Sequence, residues 1–397
     1  MECTTVTNHG CPTWFQDQLF QAKKATEPCQ DPYPFCHPAD THDFVCLHEN
    51  DYLRLSKHPR VLAAKAAALD AGQVASSIFS GGANACHQEQ LQEAIAQAMG
   101  CEDVALATSG WTANVGLIES IASQGMPVYL DQKVHASLWD GVRLSKGRPV
   151  MVRHNDLDSL ERRIRREGPG IVCIDSWYSI DGTVADLHGY VDVCERLDCV
   201  LVVDEAHSFG MIGERAGGLA VELGVADRVH FRTCSFSKAL GGHGGFVAGS
   251  RDMIWHLRHF SRPMIFSSAT SPCDAAAHLE ALRISQEHPE LAMQALVMAK
   301  RFRKLLTVRG IEHFPSQCQI VSIPFASPRD ACLGYALLRE QNVLSAAFLP
   351  PAIPEGTGLL RFTFHANVDF SEVEWAAYAV EVMLEKLHGK QDMRMVA

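Results

Sequence analysis

The chain has 397 residues, of which 47% are apolar and 20% charged, as is usual for a globular protein with a large core. A formal net charge of −11 argues against nucleic acid or an anionic membrane surface as the main partner. No apolar run is long enough for a transmembrane helix, and the N-terminus lacks the features of a secretory signal, so we expect a cytoplasmic protein.

The pattern along the chain predicts three segments. Residues 1–58 form an N-terminal arm that we expect to pack with a small C-terminal domain. Residues 59–285 alternate short apolar runs with helical patterns, which predicts a large α/β domain with a mostly parallel sheet and helices on both faces. Residues 286–397 mix helical and strand-like runs and are expected to form a smaller α+β domain.

Helical and strand patterns follow one another without internal repeats. The helical patterns cover 14–24, 60–71, 87–100, 111–123, 290–309, 330–341 and 371–388. The strand patterns cover 104–110, 171–174, 200–203, 229–235, 244–250, 320–325 and 358–366. The segment 48–59 is predicted to be a short strand and a turn that ends at Pro59.

Two stretches carry residues suited to chemistry. Asp204, Glu205 and His207 follow the apolar run 200–203, at the strand end where open α/β sheets bind ligands. Lys238 lies further along among hydroxyl side chains, before a glycine-rich turn. Taken singly, the first stretch could also be a metal or ion-pair feature, and the second a plain loop. A Schiff-base lysine with an aspartate that pairs with a pyridinium nitrogen is the signature of pyridoxal phosphate (PLP) chemistry.

The fourteen cysteines are scattered, and several lie near histidines before residue 50. Their spacings match no zinc-binding pattern, and no C-x-x-C pair occurs. We therefore expect no metal site.

The motifs D-E-A-H-S-F-G and S-F-S-K-A-L-G-G, in this order, resemble those of the α-oxoamine synthases, which are fold-type I PLP-dependent transferases. Further matches are S-G-W-x-A-N at 109–114 and H-A-S-L-W-D-G at 135–141. The resemblance covers residues 48–385. It implies a PLP enzyme that joins the acyl group of an acyl-CoA to an amino donor, and a homodimer with active sites at the subunit interface.

The resemblance also implies roles for individual residues. Lys238 would carry PLP and act as a general base, Asp204 would pair with the ring nitrogen, and His207 would hydrogen-bond the phenolic oxygen. His135 would stack on the ring, and Ser179 would approach its substituents. The phosphate contacts would come from Ser109, Gly110, Trp111 and Ser235, and, across the subunit interface, from Ser267, Ser268 and Thr270.

Three residues are expected to bind substrate. The segment 48–59 resembles the element that opens these synthases close to the active site, so Asn50 and Tyr52 are expected to contact the amino substrate. Arg361 matches the family's strand arginine, which holds the substrate carboxylate with both branches of its guanidinium. Asp175 stands where most family members have a glutamate.

Three runs favour one branch of the family: S-G-W-x-A-N-V-G-L, H-A-S-L-W-D-G and E-G-P-G-I-V-C-I-D-S-W-Y-S. They are similar to runs in the quorum-sensing autoinducer synthases, which make long-chain α-amino- or α-hydroxyketones from fatty acyl-CoA. The segment 76–88 lacks the family's G-S-R, which also fits this branch. Because this segment departs from the family pattern, the resemblance leaves open whether the amino donor is an amino acid or S-adenosylmethionine.

Three alternatives remain. The first is a primary-metabolic synthase resembling serine palmitoyltransferase, 8-amino-7-oxononanoate synthase or 2-amino-3-ketobutyrate CoA ligase, which only the product distinguishes. A PLP aminotransferase would not depend on CoA and is disfavoured by the H-A-S motif and Arg361. A catalytically silent scaffold subunit would be expected to have lost Lys238.

Overall fold

The computed structural model describes residues 12–26, 43–71 and 86–395. The strands are β1 (Val45–Cys46), β2 (Asp103–Ala107), β3 (Pro127–Asp131), β4 (Arg148–Val152), β5 (Ile171–Asp175), β6 (Val200–Asp204), β7 (Phe231–Ser235), β8 (Gly245–Gly249), β9 (Ile320–Phe325), β10 (Val343–Leu344), β11 (Ala346–Phe348) and β12 (Gly358–Thr363). The helices are α1 (Thr13–Thr26), α2 (Pro59–Ala67), α3 (Cys86–Met99), α4 (Gly110–Ile121), α5 (Ala136–Leu144), α6 (Leu157–Glu167), α7 (Leu187–Arg196), α8 (Leu219–Glu222), α9 (Arg251–Phe260), α10 (Arg262–Ile265), α11 (Pro272–Glu287), α12 (Pro289–Val308), α13 (Pro328–Arg339) and α14 (Phe370–Met395).

Seven strands form the central sheet, in the order β2-β8-β7-β6-β5-β3-β4. The strands from β7 to β4 in this order all pair in parallel, and β8 runs antiparallel to its neighbours β2 and β7. Strands β3, β5 and β8 are buried at every position, which explains their continuous apolar runs. The predicted mostly parallel sheet is confirmed, and its register places the ends of β3, β5 and β6 along one edge.

The segment 48–59 differs from the prediction, because it forms turns and the short strand lies upstream as β1. The Asp51 carboxylate accepts hydrogen bonds from the N–H groups of Leu55 (2.9 Å) and Ser56 (3.2 Å). Such local side-chain bonds compete with extended pairing. Arg54 adopts a left-handed conformation with a φ of 57°, which turns the chain further.

A smaller core surrounds the antiparallel sheet β11-β12-β9. The ring of Phe302 in α12 lies 5.1 Å from the rings of both Phe362 and Phe364. Strand β1 pairs in parallel with β10, so the chain before α2 joins this C-terminal part. Because α12 supplies Ala295 to the large core and Phe302 to the small one, the boundaries at 58 and 285 remain a proposal.

Some predictions lie outside the described residues. These are most of the cysteine- and histidine-rich N-terminus (1–11 and 27–42) and most of the segment 76–88. Within the described ranges, no helix is both long enough and apolar enough to cross a membrane.

The small core gives a test of stability. Phe302→Ala should lower the free energy of unfolding by about 3–5 kcal/mol, because a cavity replaces a fully buried ring. Met293→Ala, on the same helix but 64% exposed, should change it by less than about 0.5 kcal/mol. Equilibrium urea denaturation measures both, and equal losses would contradict the assigned packing.

Candidate active site

Three buried aspartates end neighbouring parallel strands: Asp131 on β3, Asp175 on β5 and Asp204 on β6. Their edge is the one at which open α/β sheets bind ligands. Asp175 pairs in register with Asp204. Burial, reinforced by the negative charge of Asp204, raises the pKa of Asp175 well above its usual value. Asp175 therefore favours its neutral form.

Asn114 on α4 holds the Asp204 carboxylate, a role that the sequence analysis missed. Its Nδ2 group donates to Asp204 Oδ2 (2.6 Å) and to Ser137 Oγ (2.9 Å), while its Oδ1 accepts from Thr233 Oγ1 (2.6 Å). The N–H of Ala206 donates to the other Asp204 oxygen (2.9 Å). The available signal was the asparagine of S-G-W-T-A-N, a polar residue inside the otherwise apolar run 113–118 of that helix.

His135 caps α5 and presents a fixed ring. The ring Nδ1 atom accepts a hydrogen bond from the backbone N–H of Ser137 (3.3 Å). The backbone N–H of His135 donates to Asp175 Oδ1 (3.3 Å). The Trp111 ring meets it edge to face, with centroids 5.8 Å apart. Burial lowers the pKa of His135, although Asp204 acts in the opposite direction. A neutral ring held in this way suits stacking on an aromatic ligand.

Lys238 lies half-buried in the turn between β7 and β8. Its amino group forms no hydrogen bond or ion pair with the residues that the structure describes. Burial lowers the pKa of Lys238, and Arg361 acts in the same direction, whereas Asp204 opposes both. A desolvated lysine of this kind is an activated nucleophile.

His278 on α11 supports the lysine turn. Its ring stacks on Phe236 with centroids 4.3 Å apart, and its Nε2–H donates to the His243 carbonyl (2.8 Å). This contact requires glycine at Gly242, because a Cβ there would collide with the His278 ring. No sequence pattern predicted this support, because it joins segments that are distant along the chain.

His207 follows β6 and is buried beside Tyr52. Its Nδ1 atom lies 2.7 Å from the Tyr52 hydroxyl, and its backbone carbonyl accepts from the Gln319 side chain (3.0 Å). Burial lowers the pKa of His207 well below its usual value, and the positive charges of Lys238 and Arg361 act in the same direction. The imidazole is therefore neutral.

Arg361 is a buried cation whose partners are neutral. It is 5% exposed, and it donates from Nη1 to the Ser179 carbonyl (2.8 Å) and from Nη2 to Asn50 Oδ1 (3.0 Å). Its guanidinium lies 4.6 Å from the centre of the Phe348 ring, and its Nε has no hydrogen-bond partner in the described part of the chain. Because a buried charge without a counterion is costly, this arrangement favours binding of an anion.

The N-terminus of α4 meets the end of β7. A Cβ on Gly110 would lie 2.7 Å from the Cβ of Ser235, so the two backbones approach closely only because this residue is glycine. Ser109 caps the helix by accepting from the Thr112 N–H (3.0 Å), and the Ser235 hydroxyl lies 2.8 Å from that of Ser237. The first N–H groups of a helix are free to bind phosphate.

The predicted interface residues lie between α10 and α11. Ser268 is exposed and Ser267 half-buried, whereas the hydroxyl of the buried Thr270 has no hydrogen-bond partner within the described residues. Phe266 (80% exposed) and Trp111 (45% exposed) also present large apolar surface. Contact of this region with a second subunit remains a prediction.

The family model of the class I and II aminotransferases matches residues 42–380. The chain belongs to this family. An 8-amino-7-oxononanoate synthase of Mycolicibacterium gilvum is 35% identical over 347 residues, 86% of this chain and 89% of that protein. The CAI-1 autoinducer synthase of Vibrio campbellii is 31% identical over 333 residues, 83% of this chain and 84% of that protein. The structure of a serine palmitoyltransferase from Sphingomonas wittichii matches with a TM-score of 0.87 and 25% identity, over 95% of this chain and 98% of that chain.

These relatives are α-oxoamine synthases, and the chain is a PLP-dependent acyltransferase of that type. The fold-type I architecture and the cofactor predicted from the sequence are thereby confirmed. The role of each site residue stays a prediction.

The residues of this synthase fit PLP. Four groups suit the aldehyde, ring nitrogen, phenolic oxygen and phosphate of that molecule. They are a lysine amine with no hydrogen bond or ion pair among the described residues, a fixed carboxylate, a neutral imidazole and the N-terminus of α4. A cavity of about 930 Å³ reaches Lys238 and is lined in part by the segment 48–59. The described part of the chain contains no cluster of three or more metal-ligating side chains.

The buried His278 predicts a pH dependence of stability. Burial lowers its pKa from 6.5 to about 4, so the unfolded chain binds more protons between these pH values. The contribution of His278 is complete above pH 6.5 and is lost as the pH falls, by about 1.4 kcal/mol per pH unit. His278→Gln should therefore flatten the decline in unfolding free energy measured below about pH 6.5. Parallel curves for the variant and the wild type would refute this assignment.

Proposed function

We propose that this synthase condenses a fatty acyl-CoA with an amino acid, or with a related amino donor such as S-adenosylmethionine. With an amino acid, a bond forms between the donor's α-carbon and the acyl carbonyl carbon while the thioester carbon–sulfur bond breaks. Coenzyme A leaves as the thiol, and loss of the carboxylate as CO₂ leaves an α-aminoketone. Arg361 carries the proposal. This buried cation acts electrostatically on Lys238, and among the described residues it bonds only neutral groups, so it suits the donor's carboxylate.

Bound PLP supplies an electron sink for the donor's α-carbon. Asp204, held by Asn114, would keep the ring nitrogen protonated, and His135 would cover one face of the ring. Lys238 would hold the cofactor until the amino donor displaces it, and would then take the α-proton. Burial lowers its pKa, which favours the neutral amine that a general base requires.

We assign the phosphate of PLP to the N-terminus of α4, where it meets the end of β7. Ser109 caps this helix, Gly110 and Trp111 begin its first turn, and Ser235 lies against Gly110. A second subunit would complete the phosphate site with Ser267, Ser268 and Thr270. The exposed Phe266 next to these residues and the unpartnered Thr270 hydroxyl support a homodimer with the site at its interface.

For the product we propose a long-chain α-aminoketone, the precursor of an α-hydroxyketone autoinducer. The three branch motifs and the similarity to the V. campbellii autoinducer synthase support this assignment. The volume of the cavity beside Lys238 is near the upper end of the usual range for ligand sites, which suits a substrate larger than an amino acid. The similarity to the M. gilvum enzyme supports the alternative, an 8-amino-7-oxononanoate synthase that takes a dicarboxylic acyl group.

The decisive experiment is mass spectrometry of the products formed from PLP-loaded protein, a ladder of acyl-CoA chains and a panel of amino donors. We expect long-chain aminoketones with release of CoA. Products from dicarboxylic acyl groups alone would identify the primary-metabolic alternative, and turnover without CoA would indicate an aminotransferase. If loaded protein yields no product from any pair, the condensation proposal fails.

Lys238→Ala is the matched control for that experiment. It should abolish both the product and the visible absorbance of bound PLP, because both depend on the lysine amine. Visible absorbance that persists unchanged in this variant would show that Lys238 does not hold the cofactor.

Arg361→Gln tests the assignment of the carboxylate site. Loss of a buried charge pair should weaken binding of the amino donor by about 2–5 kcal/mol and leave the KM for acyl-CoA nearly unchanged. Arg165→Gln, which removes an exposed arginine paired with Glu161, should alter neither constant. The affinity for the amino donor is measured by titration of the PLP-loaded protein. An unchanged affinity in Arg361→Gln would refute the assignment of Arg361 to the donor's carboxylate.

A further inference from the structure

Tyr52 and His207 form a buried side-chain pair that joins distant parts of the chain. Tyr52 is fully buried in the segment before α2, and His207 follows β6. The Tyr52 hydroxyl oxygen lies 2.7 Å from His207 Nδ1. The two rings are tilted by 42° with centroids 6.0 Å apart, so the hydrogen bond, rather than stacking, sets their relation.

The distances favour a hydroxyl proton directed at His207 over one directed at Asn50. The other acceptor near it is Asn50 Oδ1 at 3.3 Å, which exceeds the range of about 2.5–3.0 Å for bonds donated by a hydroxyl group. That oxygen already accepts from Arg361 Nη2 at 3.0 Å. Burial raises the pKa of Tyr52, so the phenol stays protonated and can donate a hydrogen bond to His207 Nδ1.

A neutral imidazole carries one proton, and an Nδ1 atom that accepts a hydrogen bond leaves that proton on Nε2. No hydrogen bond to His207 Nε2 is formed by any residue in 12–26, 43–71 or 86–395. We infer that Tyr52 is a positioning residue, which fixes His207 as the tautomer with a free Nε2–H directed at a ligand.

The inference gives Tyr52 a role different from the substrate contact expected from the sequence. The consequence for the cofactor rests on the proposed function: the Nε2–H of His207 would donate a hydrogen bond to the phenolic oxygen of PLP. Because His207 stays neutral, a change of pH near neutrality would not alter this donor. Arg361, by bonding Asn50, keeps the competing acceptor occupied. The substrate-carboxylate site and the His207 donor are thereby joined through Asn50 and Tyr52.

The tautomer can be measured in cofactor-free protein, independently of any reaction. We would label histidine with ¹⁵N, record long-range ¹H–¹⁵N spectra and assign His207 by its loss in His207→Asn. The wild type should show an unprotonated, hydrogen-bonded Nδ1 and a protonated Nε2. In Tyr52→Phe, the Nδ1 resonance should move toward that of a nitrogen without a hydrogen bond. A protonated Nδ1 in the wild type, or an unmoved Nδ1 resonance in Tyr52→Phe, would overturn the inference.

Tyr129→Phe is the matched control, because it removes an equally buried hydroxyl that donates to the Gly168 carbonyl (2.5 Å) instead. Its His207 resonances should coincide with those of the wild type. If Tyr52→Phe does not fold, as judged by circular dichroism, the protonation state of Nδ1 in the wild type still decides the inference.

A second readout separates this inference from the proposed function. In PLP-loaded Tyr52→Phe, the pH at which the visible absorbance changes should rise, because the phenolic oxygen receives a weaker hydrogen bond. A confirmed tautomer with no shift of that pH would refute the assigned contact between His207 and the cofactor, and leave the role of Tyr52 intact. The wrong tautomer in cofactor-free protein would refute the role of Tyr52 whatever the product analysis shows.

Discussion

The carboxylate of Asp204 is fixed at the end of a buried strand, and the rest of the site is arranged around it. Asn114 donates to this carboxylate, while its own oxygen accepts from Thr233 on the neighbouring strand. The same amide donates to Ser137, beside the His135 ring. One buried side chain therefore ties together the central sheet, α4 and α5. Unsatisfied polar groups are costly at such depth, so this network specifies a single arrangement of the residues that surround the cofactor position.

Charge is distributed unevenly across the site. Asp204 places a carboxylate at the sheet edge, whereas Arg361 is positive and bonds only neutral groups within the part of the chain that the structure describes. Lys238 experiences both, and burial together with Arg361 favours its neutral amine, while Asp204 opposes that effect. A lysine with a lowered pKa and a cation with no acidic partner among the described residues suit an amino donor that carries a carboxylate. In the proposed reaction, the same field would orient the donor's carboxylate before the lysine acts on its α-carbon.

Many elements of the fold could be predicted from the sequence, because the spacing of apolar residues reflects which face of a helix or strand is buried. The run 320–325 coincides with β9, and the run 200–203 lies within β6. The short strand predicted within 48–59 is wrong, since local hydrogen bonds to Asp51 fold this segment into turns, whereas the turn predicted before Pro59 is present. The helix predicted over 60–71 changes to a 3₁₀ turn after Ala67, which periodicity alone does not reveal. Asn114 was part of a recognised motif, yet its function depends on three partners that no local pattern identifies.

The sequence by itself determined the family and the cofactor, because motif identity and order along the chain carry that information, while the roles of Lys238 and Asp204 stay predictions. Only the tertiary structure decided how distant residues support them. Examples are the pairing of Tyr52 with His207, the stacking of His278 on Phe236, and the neutral groups that Arg361 bonds among the described residues. Each depends on the packing of segments far apart in the chain. Hydrogen bonds and burial act between neighbours in space, and a linear pattern does not specify which residues those neighbours are.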